Sequence, residues 1–354
     1  MCIRDSVYLF LLLILQLNIH SYDIYAVVET PQMPVNGDAD DPAIWINELD
    51  KSNSLIFGTD KYNGIYSYDL DGKIINYSKA GNVNNIDIRK TYINGNLYSL
   101  LYGSNRSDSS LSLWVLDDSK VDEDLKLGNF VLPVKPDHAA KANMIVYGVC
   151  AGIHPEFGNI AFITEDEGSR VQMWAFNFLE SNFNLLKEFN NSDATQSEGC
   201  VYDDENSTLF ISEEQDRGVL RAYKINKKLE FDNPVIIDTR QGNIVGDPEG
   251  ITILKTSDKD GYVILSSQGN SELNIYQRTI PYNFIKSFSI EGSDFIDEVN
   301  DTDGLDITNI NLGSNFPEGI LVVQDGRNED ASSNNTQNFK YISTKDVLKK
   351  INLK

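Results

Sequence analysis

The chain has 354 residues, and a hydrophobic share of 41% with 16 Phe and 17 Tyr excludes a disordered polymer. Its 53 acidic and 30 basic side chains give a formal net charge of −23. Bare nucleic acid and anionic membranes are excluded as partners, because both would be repelled. The acidity serves either solubility in a salty medium or the binding of hard cations such as calcium, which take about six to eight oxygen ligands.

The chain begins with a leader. An apolar stretch over residues 7–17 follows a basic residue and precedes polar ones. It is short for a membrane span of about 20 residues, and it indicates a signal peptide over residues 1–26, with cleavage after Ala26. An uncleaved anchor is the alternative. We predict a secreted or periplasmic protein in which residues 27–354 form a single domain, with no membrane contact beyond the leader.

Three cysteines occur in the chain. Cys2 lies in the leader. Cys150 and Cys200 either form a disulfide in an oxidising compartment or remain two free buried thiols. Their spacing does not decide between the two.

Strand signals dominate from Ala43 onward, as short runs of Ile, Val, Tyr and Phe that Gly, Asn and Asp interrupt. Amphipathic helices are scarce, and the clearest is the terminal segment STKDVLKKI. The pattern predicts an all-β domain, which leaves a sandwich, a barrel or a propeller.

Two kinds of segment recur about every 45 to 60 residues. In the first kind, such as LIFGTDKYNGIYSYDL, a polar marker residue stands where an apolar strand ends. In the second kind, such as EGITIL, a marker stands where a strand begins. The first-kind markers are Asp60, Asn105, Glu165, Glu214, Gln268 and Gln324. The second-kind markers are Asp41, Asp87, Tyr147, Glu198, Glu249 and Asp303.

Antiparallel pairing places both markers of a unit at the same end of the sheet. Six units in phase predict a six-bladed β-propeller with four-stranded antiparallel blades around a central channel. All twelve markers then converge on one face. Eight of the twelve are acids, and so many adjacent carboxylates need cations to stay ionised. We therefore favour metal binding over a solvated acidic rim.

The chain resembles the β-propeller phytases over about residues 37–340. The resemblance rests on GDADDPAIW, NNIDIR, SNRSD, QSEGCVYDDENSTLFISEE, DPEGITI, SSQGNS, DTDGLD, VVQDG and TQNFK, in this order. It implies a six-bladed propeller that binds several Ca²⁺ ions and hydrolyses phosphate monoesters of calcium-complexed myo-inositol hexakisphosphate by metal-activated water. Calcium would reconcile an acidic protein with a polyanionic substrate. We expect a monomer.

The resemblance also implies metal ligands. The catalytic calcium ligands would be Asp41, Tyr147, Glu198, Glu214, Asp247, Glu249, Gln268 and Asp297. Structural calcium would lie around Asn84, Asn85 and Asp87, and around Asp303, Asp325 and Asn328. Most of these side chains carry a carboxylate or amide oxygen, which suits a hard cation.

Two basic residues complete the predicted site. Lys61 and Arg106 occupy the same position in consecutive units, one residue after the first-kind marker. Side by side at the channel mouth, they would clamp a phosphate group. With Tyr147, Glu198 and Glu214 they form the predicted catalytic set.

The third unit departs from the family pattern. Several family members carry a lysine where this chain has Asp166. We therefore predict a weaker hold on a second phosphate group. Arg170 and Arg217 are the candidates to compensate as further substrate-binding residues.

Other phosphatase chemistries lack their residues. The chain has three histidines, His20, His138 and His154, and neither of the two beyond the leader has the surroundings of a histidine or dinuclear-metal phosphatase. Two alternatives remain open: another extracellular calcium propeller that acts as a lactonase or phosphotriesterase, or a non-catalytic binding module with structural calcium. The first would not need Lys61 and Arg106, and the second predicts exposed aromatic residues on the marker face.

Overall fold

The computed structural model describes residues 22–34, 36–215, 217–328 and 337–353. Within them, the strands form six four-stranded sheets of antiparallel neighbours. The innermost strands of successive sheets contact one another, and the sixth contacts the first. The sheets therefore form a closed ring, and the predicted six-bladed β-propeller is confirmed.

We number the blades along the chain and describe the strands of each from the channel outward. Two short strands, β1 (Ile24–Tyr25) and β2 (Val28–Glu29), precede blade 1. Blade 1 contains β3 (Ala39–Trp45), β4 (Leu55–Asp60), β5 (Gly64–Tyr68) and β6 (Ile74–Ser78). Blade 2 contains β7 (Val83–Ile93), β8 (Asn96–Asn105), β9 (Ser110–Asp117) and β10 (His138–Lys141). Blade 3 contains β11 (Val146–His154), β12 (Gly158–Glu165), β13 (Arg170–Asn177) and β14 (Asn182–Asn190).

The second half of the chain supplies the other three blades. Blade 4 contains β15 (Ser197–Asp203), β16 (Thr208–Glu213), β17 (Val219–Lys224) and β18 (Val235–Thr239). Blade 5 contains β19 (Pro248–Lys255), β20 (Gly261–Ser267), β21 (Glu272–Gln277) and β22 (Phe284–Phe288), and β23 (Ile290–Glu291) follows it. Blade 6 begins with β24 (Leu305–Thr308), β25 (Ile320–Asp325) and β26 (Asn338–Ser343).

Helices are few in the described residues. Helix α1 (Asp118–Leu127) connects β9 to β10, and α2 (Thr344–Asn352) follows β26, in the segment where the sequence predicts a helix. Single 3₁₀ turns lie at Lys51–Asn53 and Gln268–Asn270. None of the helices in this part of the chain has the length and apolar character needed to cross a membrane.

Blade 6 takes its outermost strand from the N-terminal region. Strand β2 pairs with β26, with Val28 opposite Tyr341, and so closes the ring. Just before it, β1 pairs in parallel with β23, and Ile24 and Ala26 are buried in the same core cluster as residues of α2. Residues 1–21 of the predicted signal peptide lie outside the described residues. A cleavage after Ala26 would remove packed residues from the domain.

The core lies between neighbouring blades. Between blades 1 and 2, Trp45 and Phe57 pack in one cluster with Trp114 and are fully buried. Each blade has such clusters on both faces, because its strands alternate apolar side chains toward the two neighbours.

A disulfide joins blades 3 and 4. Cys150 in β11 is bonded to Cys200 in β15, with a Cα–Cα distance of 5.6 Å. The bond links two innermost strands across the seam between their blades. Of the two alternatives that the sequence left open, the structure contains the disulfide.

A bulge near the start of the inner strand in five of the blades determines which side chains lie at the same height along the channel. In blades 1 to 5, the pairing of the inner strand with the second strand shifts by one residue there. Beyond the bulge, one residue of each inner strand pairs with the residue that lies two positions before the end of the second strand. In blade 1, for example, Pro42 pairs with Gly58. These equivalent residues are Pro42, Ile86, Val149, Cys200, Ile251 and Leu305.

Two positions before this level lies a set of residues that we call the inner ring. Its members are Asp40, Asn84, Tyr147, Glu198, Glu249 and Asp303. The sequence analysis placed Asp41 and Asp87 in this set, and for these two the placement is wrong. They lie one and three residues further along their strands than Asp40 and Asn84.

Candidate active site

The residue that follows each second strand belongs to a set that we call the outer ring. Its members are Lys61, Arg106, Asp166, Glu214, Gln268 and Gly326. In blades 1 to 5, its backbone N–H donates to the carbonyl oxygen of the residue before the inner strand, as from Arg106 to Asn82 at 2.8 Å and from Glu214 to Gln196 at 3.1 Å. The repeated hydrogen bond holds the two rings together at one mouth of the channel.

The last residue of each second strand, by contrast, stabilises its own blade. Asp60 accepts hydrogen bonds from the amide of Asn63 at 3.0 and 2.9 Å. Asn105 accepts from the backbone of the turn that follows it, and Glu165 accepts from Arg170 at 2.9 Å. The predicted first-kind set is therefore corrected: Asp60, Asn105 and Glu165 lie one residue before the outer ring.

Three carboxylates form a cluster between blades 4 and 5. Glu198 and Glu249 belong to the inner ring and Glu214 to the outer ring. One oxygen atom of each lies within 4.8 Å of the other two, and all three side chains are at least nine-tenths buried. Among the described residues, no donor reaches Oε1 of Glu214 or Oε2 of Glu249. Such buried oxygens require either a proton or a cation.

The negative charge of this carboxylate cluster is divided unevenly. Burial and the charge of Glu198 raise the pKa of Glu214 to about 10, and the same causes raise the pKa of Glu249 well above its usual value. Burial also opposes the charge of Glu198, but hydrogen bonds from Glu249 and Glu214, together with the charge of Lys61, lower its pKa. The surroundings therefore favour the ionised form of Glu198 and the neutral forms of Glu214 and Glu249.

Lys61 lies against two acids of the inner ring. Its Nζ is 3.2 Å from Asp40 Oδ1 and 3.1 Å from Asp303 Oδ2. Burial opposes its charge, but the two carboxylates outweigh burial and raise the pKa of Lys61 well above the usual value. Asp40 is 1% exposed, and the sequence analysis missed it.

The positions of glycines in the inner strands would have identified Asp40 from the sequence. In blades 3 to 6, a glycine follows the inner-ring residue. A Cβ atom on Gly148 would lie 1.8 Å from the backbone oxygen of Glu198, so neighbouring inner strands approach too closely for a side chain. Asp41 stands at the glycine's position in blade 1, and an alignment on the glycines assigns Asp40 to the ring.

Arg106 connects the outer ring to the carboxylate cluster. Its Nη1 donates to Asn84 Oδ1 at 3.2 Å, and the Asn84 amide donates in turn to Glu198 Oε1 at 2.8 Å. The Arg106 guanidinium lies 5.4 Å from the ring centroid of Tyr147. Its other nitrogen, Nη2, is 3.0 Å from Asp166 Oδ2. Asp166 thus stands in the position of Lys61 and Arg106 and forms an ion pair with its neighbour.

The two arginines predicted to compensate for Asp166 are bound elsewhere. Arg170 donates to Glu165 and to the backbone of Asn143. Arg217 forms a half-exposed ion pair with Asp193. Their recorded partners all lie outside the two rings.

Blades 5 and 6 add further oxygen-bearing side chains to the mouth. Gln268 Nε2 donates to Asp303 Oδ1 at 2.6 Å. Gln324 lies one residue before its strand end, and its Oε1 accepts from the backbone N–H of Asp303 at 2.7 Å. Asp247 forms an ion pair with Arg240. Gln268 and Asp303 therefore come together, whereas Asp247 is held by an arginine.

Asp41 and Asp87 line a deeper cavity of about 330 Å³ along the channel. Asp41 Oδ2 accepts from a backbone N–H of blade 2 at 3.0 Å, and Asp87 Oδ2 from one of blade 3 at 2.7 Å. Of the predicted structural group, Asn84 and Asn85 contact each other at 2.8 Å. Asp87 lies beyond them, at the deeper level.

Two of the remaining predicted ligands, Asp297 and Asp325, contact a buried lysine. Lys340 is 0% exposed, and its Nζ is 2.6 Å from Asp297 Oδ1 and 2.8 Å from Asp325 Oδ2. Backbone oxygens of Asp297 and Glu298 accept from the same ammonium at 3.1 and 2.8 Å. Asn328 is buried as well. An ammonium group thus lies between a predicted catalytic ligand and a predicted structural one.

The chain matches a known family over nearly its whole length. The family model described as Phytase matches residues 15–353. A 3-phytase of Bacillus subtilis (strain 168) is 30% identical over 340 residues, which make up 93% of this chain and 85% of that protein.

Solved structures with low sequence identity share the fold. A luciferin-regenerating enzyme has a TM-score of 0.54 and 13% identity, over 92% of this chain and 94% of its own. An auxiliary nutrient binding protein from Bacteroides thetaiotaomicron VPI-5482 has a TM-score of 0.54 and 11% identity, over 90% of this chain and 76% of its own. These likenesses show the fold alone.

The propeller places buried carboxylates beside a lysine and an arginine at one channel mouth. Together with the family match and the Bacillus subtilis relative, this arrangement defines a phosphoric monoester hydrolase. The family match extends through all six blades and both rings. The chain belongs to the Phytase family.

Proposed function

We propose that the chain hydrolyses phosphate monoesters of myo-inositol hexakisphosphate and that Ca²⁺ bound at the carboxylate cluster is required. The observation that carries the proposal is the cluster itself, with its donor-free buried oxygens beside Lys61 and Arg106. The activity of the Bacillus subtilis 3-phytase and the family match support the substrate class.

The donor set fits a hard divalent cation. Glu198, Glu214 and Glu249 offer carboxylate oxygens at a spacing that one or two ions can bridge. Asp303 and Gln268 offer further oxygens beside them. Bound calcium would supply positive charge for the substrate's phosphate oxygens and would make water more acidic.

The protein's own cations bind and orient the ester. Lys61 supplies a point charge at the mouth, and Arg106 a planar fork that suits a phosphate. Tyr147 supports the guanidinium from one side, and Asn84 sets its distance from the cluster. A phosphate that displaces Asp166 from Arg106 would lie between this arginine and the carboxylate cluster.

The other ligands that the resemblance implies remain proposals. Asp41 and Asp87 offer carboxylates in the channel, but each already accepts a backbone hydrogen bond. Asp247 would have to exchange its ion pair with Arg240 for a metal ion. We place the first ion at the carboxylate cluster, where acceptor atoms lack donors.

We also propose that the protein is secreted or periplasmic and acts as a monomer on calcium-complexed substrate. The Cys150–Cys200 disulfide supports this localisation, because such bonds persist in oxidising compartments. The predicted leader has the same implication.

A phosphate-release assay on calcium phytate tests the function. We expect a chelator to abolish turnover, Glu214→Gln to lose most of it, and Arg106→Ala mainly to raise KM. Lys120→Ala, which removes an exposed cation of α1, is the matched control and should behave as wild type. Full turnover in chelator would contradict the proposal, and turnover of a lactone or phosphotriester in place of phytate would favour the alternative hydrolase.

A further inference from the structure

The carboxylate of Glu214 is held by a relay of two side-chain amides. Gln196 Nε2 donates to Glu214 Oε2 at 3.0 Å. Gln215 Nε2 donates to Gln196 Oε1 at 2.8 Å. Gln196 is 8% exposed and precedes β15, directly opposite Glu214 across the mouth end of the hairpin.

The relay gives the two oxygens of Glu214 different surroundings: Oε2 accepts a hydrogen bond, and Oε1 does not. Because the Gln196 carbonyl oxygen is occupied by Gln215, its NH₂ group must face the carboxylate. Oε2 of Glu214 therefore accepts a hydrogen bond from outside the cluster. Oε1 is buried and has no donor among the described residues, so it is the oxygen left without a hydrogen bond.

The hairpin itself does not need this glutamine. The equivalent residue in blade 3 is Ile145, which is 56% exposed, and its carbonyl still accepts from the outer-ring N–H of Asp166 at 2.9 Å. The same backbone hydrogen bond forms in blade 4. What Gln196 adds is its side-chain contact with Glu214.

We propose that Gln196 is a positioning residue that directs Oε1 of Glu214 toward a calcium ion at the carboxylate cluster. The inference rests on the proposed function. Groups that orient a metal ligand without touching the metal typically contribute about 10- to 100-fold to metal affinity. Without the amide, the carboxylate can turn between rotamers, and a bound ion has to fix it.

Calcium binding to the full domain tests the inference directly, by calorimetry on chelator-stripped protein. Gln196→Leu should weaken the affected binding step by about 10- to 100-fold. Gln172→Leu is the matched control, because Gln172 is also a buried amide, which donates to Glu188 of blade 3 and to Asn143. It should leave calcium affinity unchanged, even where its unfolding temperature falls as far as that of Gln196→Leu.

A double-mutant cycle separates positioning from a general loss of structure. In a Glu214→Gln background, Gln196→Leu should change calcium affinity by less than about twofold. Should Gln196→Leu fail to fold, Gln215→Leu replaces it: Gln215 is exposed, and its loss frees the Gln196 amide to flip, with an intermediate loss of affinity.

The outcomes distinguish the inference from the function on which it rests. Wild-type calcium affinity in Gln196→Leu, or an equal loss with and without Glu214, overturns the positioning role while the phytase proposal stands. Wild-type calcium affinity and turnover in Glu214→Gln would instead remove the proposed function.

Discussion

Replacing Lys340 with methionine should destabilise the domain more than any change of a surface lysine. The ammonium is fully buried, and two carboxylates, Asp297 and Asp325, lie within 2.8 Å of it. Methionine keeps the unbranched chain up to the position of Cε but leaves Asp325, itself fully buried, without its cation. The variant therefore isolates the charge.

The expected magnitude follows from the burial. Removing one partner of a buried ion pair costs about 3–5 kcal/mol. Unfolding entropy is about 2.1 cal/mol/K per residue, or roughly 0.7 kcal/mol/K for a domain of this size. The midpoint of thermal unfolding of Lys340→Met should therefore fall by about 4–7 °C.

Calorimetry in chelator, at neutral pH, measures this shift without contributions from bound calcium. Lys120→Met is the control, because Lys120 forms an exposed pair with Asp124 and its loss should matter little. A second change, Asp325→Asn in the Lys340→Met background, should recover part of the loss by removing the unpaired charge. A Lys340→Met variant as stable as wild type in chelator would refute the reasoning, and so would a loss of stability that calcium fully restores.

Three further outcomes are expected. Asp166→Lys should lower KM for phytate by about tenfold, roughly 1.4 kcal/mol, because it frees Arg106 and adds a cation. Glu167→Lys makes the same charge change on an exposed neighbour and should lower KM less. Equal effects of the two substitutions would contradict a specific role of Asp166. Calcium added to chelator-stripped protein at pH 8 should release protons, because the pKa of Glu214 is raised to about 10 and a cation displaces its proton. A pH-stat titration measures this release, and Glu214→Gln should release fewer protons. No release from the wild type would count against the carboxylate cluster as the calcium site. A chain that begins at Val27 should unfold several degrees below one that begins at Tyr22, since it loses the buried Ile24; equal midpoints in a thermal scan would show that β1 contributes nothing.

The sequence predicted the propeller because its signal is repeated six times. Strand length, turn residues and a period near 50 act together, and an error in one unit does not move the others. The same reasoning brought Glu198, Glu214 and Glu249 into one site. It also placed Lys61 and Arg106 at equivalent positions, which the register confirms.

The features that the sequence did not predict are the level of Asp40 and the partner of Asp325, and each depends on a single residue. A step of one residue along the inner strand changes the level of a side chain, and blade 1 has a carboxylate at both positions, so Asp41 was chosen where Asp40 belongs. The partner of Asp325 is Lys340 on the neighbouring strand, and the contact between them is a matter of tertiary packing. Periodicity is insensitive to both effects, because neither alters the spacing of apolar residues.

The pairing of β2 with β26 has a consequence for biogenesis. Val28 and Tyr341 are about 310 positions apart, so the toroid cannot be sealed until almost all of the polypeptide has emerged. Until then β2 has no partner, and its backbone groups stay unpaired. The incompletely folded chain is therefore exposed to proteolysis and to aggregation with other copies for as long as synthesis of the whole chain takes.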